Sequence, residues 1–450
     1  MADKLEDIDT IVVLMMQSRS FDHVLGHLSL DGGPYEGRLE GLVGTPIDGR
    51  LSDPRYENTC EGRVHQPFEM RDGAMPGELP DDRHSVRTSL GRRMPSGARA
   101  MDGFVRAYLQ AEGAHRSSRP SPMGFLRATD APVTNFLAKS YAVCDRWFSP
   151  LPTGVAPNRL MATCGYSLLL DTTPRLLPLH DTVFDWMKQR GVRYRVYHDG
   201  LSFFTLCPWM LGEVASDRFR SAERLGEDVR AEADETFPQV IYIEPSYFDA
   251  PFHLGRPPND NRPPLPMAPG ERFLLQVYEA LTSNPERFAR TLFIVTYASH
   301  GGFYDHVSPP AIRDGAFETT GVRVPAIVVS PLVERGTVHG GLLDHTSILQ
   351  LFAEKFGHGE AYSEHVARRA EQGIGSVSSV LNRGAARASL PVPPSPRARP
   401  GRKRTRSFTP RTCGERAFDL AARALCDHAP SRVASAYPEL WQAMWHAALQ

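Results

Sequence analysis

The chain has 450 residues and a mass of 50.0 kDa, with 41% hydrophobic and 23% charged residues, a composition that suits a globular protein with a sizeable core. At roughly 150 residues per domain it has room for about three domains or one large α/β unit. Lys and Arg number 51 against 52 Asp and Glu, a net charge of −1; this excludes a polyanion binder acting through overall charge, and leaves only local basic patches.

The first element in the chain is an apolar run at Thr10–Met16, which reads as a buried strand, and Ser18–Phe21 reads as the start of a helix. No run reaches the roughly 20 apolar residues that a bilayer-spanning helix needs. The start is acidic (Asp3, Glu6, Asp7, Asp9), unlike the basic flank of a secretion signal. Residues 51–122 are polar and rich in Arg, Gly and Pro, which suggests a loop-rich insertion or lid over the sheet. Further on, Thr182–Gln189 is helical, Arg193–His198 alternates as a strand, Val240–Ile243 is a strand and Glu271–Leu281 has helical spacing. Thr291–Tyr297 and Ala326–Val329 are strands again, and Asp344–Phe356 is a capped helix. Continuous apolar strands separated by helices predict an α/β fold with a mostly parallel central sheet and helices on both faces. Chemistry is then expected beyond the carboxyl ends of the strands.

Residues 1–375 read as this α/β domain, 376–412 as a basic Pro/Arg-rich linker, and 413–450 as a helical segment containing Trp441 and Trp445. Between Arg383 and Arg411 there are nine Lys or Arg and no acid, with Phe408 the only aromatic. That composition fits a solvated linker better than a specific nucleic-acid reader. Cys60, Cys144, Cys164, Cys207, Cys413 and Cys426 form no CxxC pair, which argues against a disulfide framework or a zinc pattern. A soluble, reduced, cytoplasmic protein is the resulting expectation.

Four segments follow predicted strands or shaped loops. Gln17-Ser18-Arg19-Ser20-Phe21-Asp22-His23 is a strand-to-helix turn whose backbone N–H groups suit an anion, though Ser20 or Asp22 also fits as a helix cap. Cys144–Leu160 contains a Pro- and Gly-shaped loop with Asn158-Arg159, which suits either an anionic ligand or a structural tie. Ile243-Glu244-Pro245 is followed by Asn259-Asp260-Asn261-Arg262-Pro263-Pro264. Tyr297–Val307 carries Ser299, His300, Gly301, Gly302, Asp305 and His306, a pattern that fits metal ligands or buried structural histidines.

Together, and in this order, these segments resemble the bacterial phosphoesterase family of phospholipases C and acid phosphatases, over roughly residues 8 to 360. The DRWF, PNRL, IEP, GGFYDHV, RVPAIVVSP and DHTSILQLF segments carry the resemblance. It implies an alkaline-phosphatase-like fold and metal-dependent phosphoester hydrolysis by a hydroxyl nucleophile. Several positions depart from the family pattern. Gln17-Ser18 stands where the resemblance implies Glu-Asn, Val155 where it implies the Thr or Ser nucleophile, Ala298-Ser299 where it implies Asp-Glu, and Arg262 where it implies His.

The expectation is therefore a protein with no metal and no cofactor that binds a small, anionic ligand. Gln17, Ser18, Arg19, Val155, Asn158, Arg159, Asp260, Arg262, Ala298, Ser299 and Asp305 are the candidate contacts, and His300 or His306 the group for metal-free acid/base chemistry. The competing expectation is a working phosphoesterase with Thr153 as nucleophile and ligands drawn from His300, Asp305, His306 and His345.

Overall fold

The computed structural model describes residues 5–111, 114–177, 180–251, 258–394, 412–438 and 440–442. Residues 395–411 of the expected linker and Trp445 lie outside the described residues. The strands of the main sheet are β1 (Thr10–Met16), β2 (Ala142–Cys144), β3 (Tyr194–His198), β4 (Phe219–Ser221), β5 (Val240–Glu244), β6 (Thr291–Tyr297), β7 (Ala326–Val329) and β8 (Thr337–His339), in spatial order β8-β2-β7-β6-β1-β5-β3-β4. Every residue of β1, β5 and β6 is buried, as expected of continuous apolar strands in a covered sheet.

The sheet is mostly parallel, with helices around it. Strand β7 alone runs antiparallel to both its neighbours, β6 and β2. This puts the start of β7, and Arg323 just before it, at the same edge as the end of β6. Helices α1 (Phe21–Val24), α2 (Arg83–Leu90), α3 (Phe104–Gln110), α4 (Val155–Cys164), α5 (Ala268–Thr282), α6 (Thr346–Phe356) and α7 (Cys413–His428) surround the sheet. Val13 and Met15 of β1 and Tyr242 of β5 meet Arg159 and Ala162 of α4 and Ile348 of α6 on one face.

Residues 51–122 are more than loops. They supply α2, α3 and a second apolar core in which Tyr56, Phe68, Val86, Leu90, Phe104 and Val105 are all buried. At the other end, Thr412 and Glu415 form a reciprocal capping box at the start of α7. The apolar stripe Phe418, Ala421, Ala422 and Leu425 is buried in the main core, with the Phe418 ring 5.7 Å from that of Tyr247. Among the described residues no helix is long and apolar enough to cross a membrane.

Candidate functional site

Strand register builds the site. Met16 lies opposite Tyr297, so Gln17-Ser18 leaves the sheet beside Ala298-Ser299, and the Ala298 N–H donates to the Met16 carbonyl at 2.9 Å. Ser18 adopts a left-handed φ of 59° and Gly301 one of 61°. A Cβ on Gly301 would stand 2.3 Å from the Ser18 carbonyl oxygen, so only glycine permits these two turns to touch. Val155 opens α4 and packs with Met15, Ala162 and Ala298 in a small apolar cluster.

Beside this cluster lies a cavity of about 340 Å³ bordered by Gln17, Val155, Arg262, Asp81, Asp249 and the first turn of α7, a size that suits a small-molecule ligand. Two larger clefts, about 620 and 460 Å³, open around Arg193 and Pro238 at the amino ends of β3 and β5. That is the wrong edge for chemistry in a parallel sheet, so we take the smaller cavity as the candidate site.

The cavity is acidic. Arg262 is held by Asp249 and by Glu78 at 3.2 Å. Burial pushes the Asp249 carboxyl up to about 7 even against Arg262, and pushes Asp81 up to about 6. Leu79, buried with Tyr108 and Phe303, anchors the chain that carries Asp81, and the Ser299 hydroxyl donates to that carboxylate at 3.4 Å. Gly414 brings α7 against Asp249, where a Cβ would stand 2.4 Å from Oδ2. Gln17 is 2% exposed, and among the described residues its Oε1 has no donor; the Ser18 Oγ and His300 Nε2 are likewise buried without partners.

Several residues expected to bind ligand are instead tied to the scaffold. Arg19 donates to the carbonyls of Asn261 (2.7 Å), Leu265 (2.7 Å) and Gly73 (3.1 Å) and lies over the Phe303 ring. Arg159 donates to the Met15 carbonyl at 2.8 Å, sits 3.7 Å from Glu244 and is sandwiched by Phe203 and Tyr247. Asn158 spends its amide on the loop carbonyls of Leu151, Thr153 and Gly154 and accepts from the Leu151 N–H. Asp260 accepts the Phe248 and Arg262 N–H groups. Of the three arginines expected to cradle an anion, only Arg262 borders the cavity, and two carboxylates already hold it.

Asp305 and His306 belong to a separate network at the start of β7. The Arg323 Nε donates to Asp305 at 2.9 Å and its Nη2 to Asp22 at 3.1 Å. His306 donates from its backbone N–H (2.8 Å) and ring Nδ1 (2.7 Å) to Asp22, and the N–H groups of Asp22 and Val307 donate to Asp305. All four carboxylate oxygens thus accept donors. Burial pushes Asp22 up, but His306 and Arg323 outweigh it and hold the carboxyl below its ordinary value. Burial likewise opposes the charged form of His306, and Asp22 reverses this, raising its pKa. Among the described residues, Asp22, Asp305 and His306 are the only three potential ligand groups with atoms within 4.8 Å of one another. The Arg323 guanidinium between the carboxylates supplies the charge a cation would bring.

The alternative nucleophile Thr153 donates its hydroxyl to the Leu170 carbonyl (2.9 Å) and to Asp171 (3.1 Å), and it does not border the cavity. Burial lowers His300 to about 3 and His345 to about 4. His345 is fixed between the Trp147 indole N–H and the Ala298 carbonyl, away from Asp305 and His306.

A sequence profile of the Phosphoesterase family matches residues 8–358. The chain belongs to the Phosphoesterase family. Among its relatives within the family, non-specific phospholipase C3 of Arabidopsis thaliana is 30% identical over 87% of this chain and 77% of its own length. Phospholipase C A of Mycobacterium tuberculosis is 29% identical over 78% of this chain and 74% of its own. Non-specific phospholipase C6 of Arabidopsis thaliana is 30% identical over 74% of this chain, which spans only 63% of that relative's length. Among solved structures, a phosphonate monoester hydrolase from Silicibacter pomeroyi aligns with a TM-score of 0.32 at 11% identity, over 58% of this chain and 73% of that one.

Sequence reasoning on this phosphoesterase-family chain missed Asp81, Asp249 and the contribution of α7. Asp81 sits in the polar insertion and Asp249 in a loop after β5, and neither has a local pattern that separates it from a surface acid. The Thr412–Glu415 capping box was the one readable signal that a helix starts at the cavity mouth.

Proposed function

We propose that this phosphoesterase-family protein binds a ligand in the cavity at the strand ends and does not cleave phosphoesters by a metal-dependent route. One observation carries this reading: Val155 and Ala298, at the positions where the resemblance implies the nucleophile and a metal carboxylate, pack with Met15 and Ala162 as an apolar cluster. Val155 has no nucleophilic atom. A divalent cation does not fit the neighbouring donor set, because the Gln17 amide and the Ser18 and Ser299 hydroxyls are neutral and Ala298 has no donor. None of these four positions supplies a charge to offset the cost of dehydrating a dication; of the carboxylates nearby, Asp249 is held by Arg262 and burial pushes Asp81 up to about 6. For metal-free acid/base chemistry the cavity offers Asp249, near 7, and Asp81, near 6, close to the range a general acid or base needs. His300, held near 3, lies outside that range.

The second reading, a working phosphoesterase with rearranged residues, is favoured by relatives that carry the name phospholipase C. It needs the Thr153 hydroxyl released from Leu170 and Asp171. The test is metal analysis of the purified protein with turnover of p-nitrophenyl phosphate and p-nitrophenyl phosphorylcholine, with and without added divalent cations. No metal-dependent turnover is expected. Turnover abolished by Thr153→Ala would establish the second reading.

A further inference from the structure

We propose that the cavity takes a primary ammonium carrying an apolar tail, with Gln17, Asp81 and Asp249 as acceptors of its three N–H groups. The inference rests on the reading of this cavity as a ligand site and names the chemistry of the ligand.

Three acceptors short of donors border one space. Gln17 Oε1 has no donor among the described residues, although the residue is 2% exposed. Among the described residues the Asp81 side chain has one donor, the Ser299 hydroxyl at 3.4 Å. Asp249 gives one oxygen to Arg262, and its other oxygen faces the Thr412 hydroxyl at 3.4 Å. Contacts of 3.4 Å are long for O–H donors, whose usual range ends near 3.0 Å. The remaining acids of the lining are already engaged. Asp171 accepts from the Arg83 and Thr172 N–H groups and the Thr153 hydroxyl, and Asp82 caps α2.

Charge points the same way. Among the described residues, Asp81, Asp82, Asp171 and Asp249 border the cavity together with a single basic residue, Arg262, whose own nitrogens are taken by Asp249 and Glu78. A phosphate or carboxylate entering here would meet more negative charge than positive. An unpaired buried acceptor is costly and is relieved by an N–H donor. An alkylammonium has three such donors, whereas a quaternary ammonium has none. Part of the lining is apolar: Leu177, Phe203, Leu206 and Phe418 border the same space and suit an alkyl or aryl tail.

The experiment is isothermal titration of the full-length protein at pH 8, where both acids are ionised, with n-hexylammonium, hexyltrimethylammonium, hexyl phosphate and calcium chloride as separate probes. Hexylammonium is expected to bind at least about tenfold more tightly than the other three, since a hydrogen bond to a charged donor is worth at least that factor. Gln17→Met keeps the side-chain length and removes an acceptor that the fold leaves unpaired, so it should fold normally and weaken hexylammonium binding by about tenfold. Asp81→Asn, at a half-buried position, should weaken it by at least as much, while Gln17→Met, which removes no charge, leaves hexyltrimethylammonium binding unchanged. The inference is overturned if hexyl phosphate or calcium binds best, if the two ammonium probes bind equally, or if no probe binds at millimolar concentration. A calcium-best result would count against both readings, whereas equal binding of the two ammonium probes, or none at millimolar concentration, overturns this inference and leaves the absence of metal-dependent turnover untouched, so the two can fail separately.

Discussion

Replacing Arg323 by Met tests the network that joins α1, the Asp305 loop and β7. Arg323 is fully buried, with its Nε on Asp305 and Nη2 on Asp22, and its Nη1 donates to the carbonyls of Glu40 at 2.5 Å and Asp145 at 2.8 Å. Met keeps the length and apolar bulk but leaves buried Asp305 with backbone N–H donors alone and Asp22 with His306 as its remaining side-chain partner. Removing one partner of a buried ion pair costs about 3–5 kcal/mol. The penalty must depend on pH. Without the guanidinium, the Asp22–Asp305 pair binds a proton more readily in the folded chain than in the unfolded one, so the folded state holds the extra proton and loses stability as pH rises. Each unit of such a shift is worth about 1.4 kcal/mol. Urea denaturation followed by tryptophan fluorescence should therefore give a loss of about 4 kcal/mol at pH 8 and roughly half of that at pH 5.5. A loss under about 1 kcal/mol at pH 8, or an equal loss at both pH values, would refute the account of the network as a charge-balanced, dry unit.

Gly301→Ala should cost about 2–4 kcal/mol, from the left-handed backbone and the contact with Ser18, and an unchanged urea midpoint would contradict the close approach. His306→Gln should lower stability most below pH 6.5. The folded pKa of His306 is raised, so its contribution is fully present below the unfolded value and fades as pH climbs through the folded one; a deficit that does not shrink toward pH 9 would be inconsistent with that linkage. Removing residues 395–450 strips Phe418 and Leu425 from the core, where each fully buried apolar side chain is worth about 1.5–3 kcal/mol. The truncated protein should melt lower and bind a hydrophobic dye over Phe203 and Leu206, and an identical melting curve would mean that α7 does not support the fold.

The strands were the most legible part of the molecule. TIVVLMM, TLFIVTY and AIVV are apolar without interruption because both faces of the sheet are covered, and their limits in the structure match those read from the sequence. The reversed direction of β7 was not legible, since an apolar run looks the same in either sense and the Pro- and Gly-containing stretch before it has no periodicity. The arginines misled for a related reason. Arg19, Arg159 and Arg262 have the chemistry of anion binders, but only three-dimensional packing reveals that the first two are consumed by carbonyls and aromatic rings. Asp81 and Asp249 stand 168 residues apart in the chain, and no local motif could bring them to one cavity.

The position of β1 has a cost during synthesis. It is made before the other strands of its sheet, yet it occupies the middle of that sheet, hydrogen-bonded to β5 and β6. At about 5–20 residues per second, β6 emerges from the ribosome roughly 15–55 s after β1. Until β5 emerges, about 230 residues after β1, a seven-residue apolar, uncharged segment has neither of its native neighbours, which makes nascent β1 a place where chaperone engagement or aggregation would begin.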